Sequence, residues 1–359
     1  MIPRIYICHT YYHVYVTFLK ELNLPKENRG KADLVLSRLS TDFENLKRRV
    51  EQTGLFRKVI EFDEKRDDFF PELKKYREDK GNIVFNMLSR IRFTRKYAKL
   101  EEAYIPVDFK NYEDIYVYCD SDPVGYYLNQ KKIRYHALED GLNSIKNFDA
   151  ARFENRGHFK LKAWMSRKCN LIFVQNGYGK YCIDMEVNDI SAIRYPCPQY
   201  VEVPRQPLAD ALTEEDKELI LTAFLRNRKE LVRQLKESAQ VKDKILILTE
   251  PLCALDVRER IFRDIIKKYE PEGTIFIKPH PRDVLSYETL FSQYPLIDAA
   301  VPMEILNFFE VRFKKVISVF TEMKAVRFAD EIIALGADFM DQYEEPAIHR
   351  QNERIDQEA

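Results

Sequence analysis

Thr274-Ile275-Phe276-Ile277-Lys278-Pro279-His280-Pro281 decides the fold of this chain. Its first four residues are β-branched or aromatic, the pattern of a strand buried in a parallel sheet. Two prolines then stop the strand and fix the backbone as it leaves the sheet. His280 is thereby held at the carboxyl end of a strand, where open α/β sheets bind their ligands. Lys278 and Arg282 flank it with positive charge, so the corner is a candidate contact for an anion. The plainer reading is a histidine that caps a strand.

Short β-rich runs alternate with amphipathic stretches on both sides of this corner. Strands are expected at Ile5–Cys8, Asp33–Ser37, Lys58–Phe62, Ile83–Met87, Asp114–Cys119 and Ile133–Leu138. Helices are expected at Tyr12–Leu22 and Asp42–Thr53. The periodicity breaks between Asn147 and Lys162, which predicts a domain boundary there: one domain over 1–155, a second over 156–342, and a polar tail over 343–359. In the second series, strands are expected at Leu171–Gln175, Ala192–Tyr195, Ile245–Leu248, Thr274–Lys278, Ile297–Val301, Lys315–Phe320 and Glu331–Leu335. Thr213 is the expected cap of a long helix with Glu214, Glu215 and Asp216 in its first turn. Alternation of this kind predicts an α/β protein of two Rossmann-like domains facing a central cleft.

The chain has 359 residues, with 58 basic and 58 acidic side chains and a formal net charge of zero. That balance argues against nucleic-acid binding, which calls for a basic excess. Six cysteines are scattered without a C-x-x-C pair, the usage of reduced thiols in a cytoplasmic protein. The chain opens on a strand, with no basic-then-apolar leader, so no secretory signal is expected. No stretch reaches the ~18 apolar residues of a membrane span.

Four further segments close expected strands. Glu139-Asp140-Gly141 sets two carboxylates on a tight turn, where one can accept a proton from a hydroxyl; an ordinary acidic turn is the alternative. Pro302-Met303-Glu304 offers a carboxylate for the two hydroxyls of a ribose, or a first-turn glutamate. Ser318-Val319-Phe320-Thr321 reads as a strand end passing into a helix through Ala325 and Phe328, a natural phosphate site or a plain N-cap. Asp120-Ser121-Asp122 has the D-x-D form of metal-dependent sugar transfer, although Pro123 makes it a helix start with Asp122 as cap. His9 and His13 stand four apart, a spacing able to hold a metal; polar or structural contacts are the expectation. Lys160, Lys162, Arg167 and Lys168 surround Trp164. This basic run is either a solvated face or a peripheral contact with the inner membrane.

In order along the chain, Ala137-Leu138-Glu139-Asp140-Gly141, Ile277-Lys278-Pro279-His280-Pro281-Arg282, Val301-Pro302-Met303-Glu304-Ile305-Leu306 and Val316-Ile317-Ser318 resemble the bacterial lipooligosaccharide sialyltransferases, glycosyltransferase family 52, of the two-Rossmann (GT-B) type. The resemblance implies an inverting, metal-independent transfer of sialic acid from CMP-sialic acid to a galactoside of a bacterial surface glycan. It implies Glu139 or Asp140 as base, with Glu139 preferred, or else Asp256, since some members use an aspartate of the second domain. It implies His280, with Pro281, at the CMP phosphate, Glu304 at the ribose, and Ser318 with Thr321 at the phosphate, since Val319 replaces the family's second serine. It implies no cofactor and no metal, a nucleotide-sugar donor and an oligosaccharide acceptor as partners, and it is compatible with a homodimer. Alternatives on the same scaffold are a CMP-Kdo or UDP-sugar donor, or a non-catalytic glycan- or nucleotide-binding homologue, which the altered serine cluster favours.

Overall fold

The computed structural model describes residues 1–146, 148–229, 231–233 and 243–350. They form two compact units that divide between Leu212 and Thr213. The expected boundary near 155 therefore moves later, because two further strands complete the first sheet. These are β6 (Cys182–Val187) and β7 (Tyr200–Glu202). Their alternation of buried and open positions carries little apolar signal.

The first sheet runs β3-β2-β1-β4-β5-β6-β7, where β1 is Ile2–Cys8, β2 Asp33–Ser37, β3 Lys58–Phe62, β4 Tyr112–Tyr118 and β5 Tyr135–Leu138. All neighbours pair in parallel. The order reverses between β1 and β4, so the chain leaving these two strands diverges to opposite faces and opens a crevice at their carboxyl ends. Ile5 and Ile7 of β1, Val117 of β4 and Ala137 of β5 are fully buried in one core. The helix Tyr11–Leu22 follows β1 at once; Thr10 caps it by accepting from the His13 amide at 3.2 Å. The helix Pro123–Lys131 follows β4 and packs so tightly that a Cβ on Gly125 would lie 1.9 Å from the Asp120 carbonyl oxygen.

Three expected strands of this unit are absent. Ile83–Met87 is the start of a 19-residue helix, Ile83–Glu101, because Asn82 caps it through the Val84 amide at 2.8 Å. Leu171–Gln175 supplies Ile172, Phe173 and Val174 to buried clusters without pairing as a strand. Ala192–Tyr195 is likewise unpaired, and Ile190–Ala192 form a 3₁₀ turn.

The second sheet runs β11-β10-β8-β9, where β8 is Lys244–Leu248, β9 Thr274–Lys278, β10 Phe313–Ser318 and β11 Ala329–Ala334. It too is parallel. Beyond β9, the expected strand at Ile297–Val301 shrinks to a single bridge between Ile277 and Leu296. Pro295 removes one donor there, and Asp298 turns the chain by accepting from the Ala300 amide at 2.9 Å. Counting that bridge, the order is 3-2-1-4-5, the same winding as the centre of the first sheet. The helix Leu255–Tyr269 buries Ile261, Phe262, Ile265 and Ile266 against β8 and β9. Thr213 starts Glu214–Phe224 with a reciprocal box: it accepts from the Asp216 amide, and Asp216 accepts from its amide. The chain after β10 is a turn rather than the expected helix. Of the expected tail, Pro346–His349 form a short helix and Tyr343 donates to Asp264 at 2.9 Å; residues 351–359 lie outside those described.

Candidate functional site

The carboxyl end of each sheet carries one cluster of the residues singled out from the sequence. In the first unit, Glu139-Asp140-Gly141 turns directly after β5, with Gly141 at φ +92°, a region glycine enters at no steric cost. Glu139 is only 1% exposed. Its Oε2 accepts from the Asn188 amide at 3.0 Å, and its Oε1 has no hydrogen-bond partner among the described residues. Burial pushes its pKa up. The side chain preferred as base thus faces the interior. Asp140, with a side chain 25% exposed, is the carboxylate that a substrate can reach.

Asp140 is held by a residue 127 positions away. His13 Nε2 lies 2.6 Å from Asp140 Oδ1. His13 Nδ1 accepts from the His9 amide at 3.0 Å, so a neutral ring carries its proton on Nε2, aimed at Asp140. The ring is fully buried and stacks on Tyr118 at 4.3 Å. Its partner His9 bonds Glu64 Oε2 at 2.8 Å. Burial opposes a charge on His9, but the Asp122 and Glu64 carboxylates outweigh it and raise its pKa to about 9. One ligand atom each from His9, His13 and Cys119 lies within 4.8 Å of the others. Both His13 nitrogens already make hydrogen bonds, and we assign the histidine pair to holding the Asp140 turn.

The D-x-D aspartates are similarly committed. Asp120 accepts from the amides of Asn176 and Gly177 at 2.6 and 3.2 Å and from the Tyr135 hydroxyl at 3.1 Å. Asp122 occupies the cap position of Pro123–Lys131 but makes no capping bond; its carboxylate lies 3.4 Å from His9. Glu64 takes over the cap from a distance, accepting from the Val124 amide at 2.8 Å and the Ser37 hydroxyl at 2.6 Å. This is the structural role of a buried hub rather than the open oxygen set a divalent ion needs.

In the second unit, the Lys-Pro-His-Pro corner leaves β9 beside the end of β8. The His280 amide donates to Thr249 Oγ1 at 3.1 Å, and His280 Nδ1 accepts from the Arg282 amide at 3.1 Å. Again a neutral ring must carry its proton on Nε2. Exposed Pro281 opens a turn closed by the Asp283 amide donating to the His280 carbonyl at 2.9 Å. Behind the turn, buried Arg258 donates to Asp283 Oδ1 at 2.5 Å and to the Cys253 carbonyl at 2.7 Å. That bidentate grip ties the loop after β8 to the loop after β9. Arg258 and Asp283 carry no sequence motif, and only their contacts reveal them.

Lys278 is 6% exposed and donates to the Ala299 carbonyl at 3.4 Å. Burial lowers its pKa to about 8 against the pull of Asp298 and Glu304. Glu304 sits at the start of the 3₁₀ segment Met303–Phe308; burial raises its pKa, partly offset by its own backbone and by Lys278. Asp256 is exposed in the first turn of Leu255–Tyr269, at the same sheet end as His280. Ser318 and Thr321 differ most from expectation. The amides of Phe320 and Thr321 and the Thr321 hydroxyl all donate to buried Glu250, at 2.9, 2.7 and 2.6 Å to Oε1. Ser318 is buried, with Oγ 3.4 Å from the Thr321 carbonyl. The donors expected to meet a phosphate are thus satisfied by a carboxylate from the loop after β8.

Known structures share this architecture. The α/β-galactoside α-2,3-sialyltransferase of Photobacterium phosphoreum matches with a TM-score of 0.52 at 14% identity, over 92% of this chain and 89% of that one. The 2,6-sialyltransferase of Photobacterium sp. JT-ISH-224, solved with CMP and lactose, matches with a TM-score of 0.56 at 10% identity, over 92% and 71%. At such identities the likeness is one of fold. An uncharacterised Haemophilus influenzae protein is 33% identical over 86 residues, which span 23% of this chain and only 28% of that relative. The model of glycosyltransferase family 52 matches residues 62–324, well over half of the sequence and including every segment of both clusters except His9 and His13, and the chain belongs to that family.

Proposed function

We propose that the protein transfers sialic acid from CMP-sialic acid to a galactoside of a bacterial surface glycan, with inversion and without a metal ion. Family membership supports glycosyl transfer, and the fold shared with sialyltransferases supports the donor. The observation that carries the reading is the His280 corner: an imidazole fixed on two sides, with Nε2 as its donor atom, on a loop rigidified by Arg258 and Asp283. A fixed donor of this kind stabilises charge building on a departing phosphate. The sugar carbon meanwhile gains oxocarbenium character. Glu304 holds the ribose, and Asp140, kept in place by His13, takes the proton from the acceptor hydroxyl. A second assignment of the base, to Asp256, is favoured by its exposure at the same sheet end as His280.

The test combines a thermal-shift panel of CMP, UDP, GDP and ADP, with and without EDTA, with an assay of CMP release from CMP-sialic acid in the presence of lactose. CMP should stabilise the protein selectively and EDTA should change nothing. His280→Ala should lower release on the order of 10²-fold or more while the protein stays folded. Asp140→Asn and Asp256→Asn, compared side by side, identify the base by the larger loss. Stabilisation by UDP alone would move the reading to another donor. CMP binding with no release would make the protein a binding homologue, and full activity in His280→Ala would end the assignment of the corner.

A further inference from the structure

We propose that Glu250 limits the donor to a single phosphate, so that the protein takes nucleoside monophosphate sugars and rejects nucleoside diphosphate sugars. This deepens the transfer reading and rests on it. The first observation is where Glu250 stands. Thr249, directly before it, accepts from the His280 amide through Oγ1 at 3.1 Å and donates its own amide to the Lys278 carbonyl at 3.1 Å. β8 lies between β9 and β10 in the second sheet. Glu250, on the loop after β8, is therefore placed between the His280 corner after β9 and the Ser318–Thr321 turn after β10.

The second observation is what Glu250 holds. Its Oε1 accepts from the Phe320 and Thr321 amides at 2.9 and 2.7 Å and from the Thr321 hydroxyl at 2.6 Å, and its Oε2 accepts from the Phe320 amide at 3.0 Å. Two consecutive amides and a hydroxyl converging on one point are a donor set suited to phosphate oxygens. Both carboxylate oxygens act as acceptors, the role of the ionised form. Glu250 is 6% exposed, so the donors it takes are taken fully.

The carboxylate is fixed in that place. Pro251 restricts the Glu250 backbone to extended geometry. The Leu252 amide donates to the Glu250 carbonyl at 2.8 Å, and Arg258 holds the Leu252 and Cys253 carbonyls. A carboxylate free to swing would make a gate, whereas one held by its own loop is a permanent charge. A single phosphate at His280 Nε2 leaves the turn to Glu250. A second phosphate, bonded to the first and reaching toward the turn, meets donors already taken and a negative charge beside its own. Juxtaposed like charges reject the wrong ligand more than they weaken the right one. Lys278 brings no relief: it is buried, donates to the Ala299 carbonyl at 3.4 Å and lies in the field of Asp298 and Glu304.

Calorimetric titration of the full-length protein with CMP, CDP, UMP and UDP separates phosphate count from base. The monophosphate of the preferred base should bind about tenfold or more tightly than its diphosphate. Glu250→Gln keeps the shape and removes the charge; it should strengthen diphosphate binding about tenfold and leave monophosphate binding within about threefold. Glu250→Ala, which empties the turn, should move the ratio the same way. A side chain that only ties two loops together would instead weaken all four nucleotides alike, with the ratio unmoved. The proposal fails if the wild-type ratio is near one, a result that needs no variant to fold, or if the ratio survives in both variants. CMP release from CMP-sialic acid by a protein whose ratio is near one would end this proposal and spare the transfer reading; binding of none of the four would end both.

Discussion

A carboxylate that takes a proton from a sugar hydroxyl must be reachable and must be held still. Asp140 meets both conditions, whereas Glu139 is held but not reachable, since its carboxylate faces inward onto the Asn188 amide. If Asp140 is the base, His13→Ala should lower kcat about tenfold, the worth of one hydrogen bond to a charged group. The donor KM should stay unchanged. Losing that donor raises the carboxylate's pKa, so the acidic limb of the pH–rate profile should move to higher pH. His13→Gln, which can still donate, should recover part of the loss; an unmoved profile in His13→Ala would remove the positioning role. The sequence exposed Asp140 through its acidic turn, and His9 with His13 through their spacing. Their meeting was not legible, because it spans 127 residues and is set by β1, β4 and β5 lying side by side in that order. The partner of the Ser318–Thr321 turn was hidden for a related reason: hydroxyls and open amides look alike in sequence whether a phosphate or Glu250 meets them.

Elements were most legible where sequence period and burial agree. Asp33–Ser37, Lys58–Phe62 and Thr274–Lys278 fall where their β-branched runs place them. Ile83–Met87 failed because its apolar side chains serve an exposed face rather than a core, so the Asn82 cap decides the local structure. Close approach decides elsewhere. The helix Pro123–Lys131 leans on the Asp120 carbonyl through Gly125, and its first turn is capped by Glu64, which also holds His9. Gly125→Ala should therefore cost about 1–3 kcal/mol in urea denaturation, the range for forcing extra volume into a packed contact. A wild-type midpoint for that variant would show that the helix can retreat without loss.

At the scale of the whole molecule, two separately cored units carry different titrating groups. Glu101, buried at the end of its helix near Glu64, is raised to about 8 by burial, and His9 is raised to about 9 by its carboxylates. Both belong to the first unit. A group with a raised pKa binds protons in the folded state that the unfolded chain has already lost, so stability falls as pH rises through that value. The melting transition of the first unit, followed by Trp164 emission, should accordingly move down between about pH 6 and pH 9; a flat or rising transition would contradict the burial of Glu101 as a neutral acid and of His9 as a charged partner. The placement of the boundary at Leu212 was hidden in the sequence because β6 and β7, the last two strands toward one edge of the first sheet, are short and of mixed polarity.

Residues 80–100, and residues 155–183 around the basic run at Trp164, have a consequence beyond any single contact. They hold twelve of the 58 basic side chains and none of the 58 acidic ones, which leaves the remainder of the chain negative by twelve charges. A protein neutral in total therefore carries two concentrated basic stretches against a net-acidic remainder. Near neutral pH it should be retained by both cation and anion exchangers.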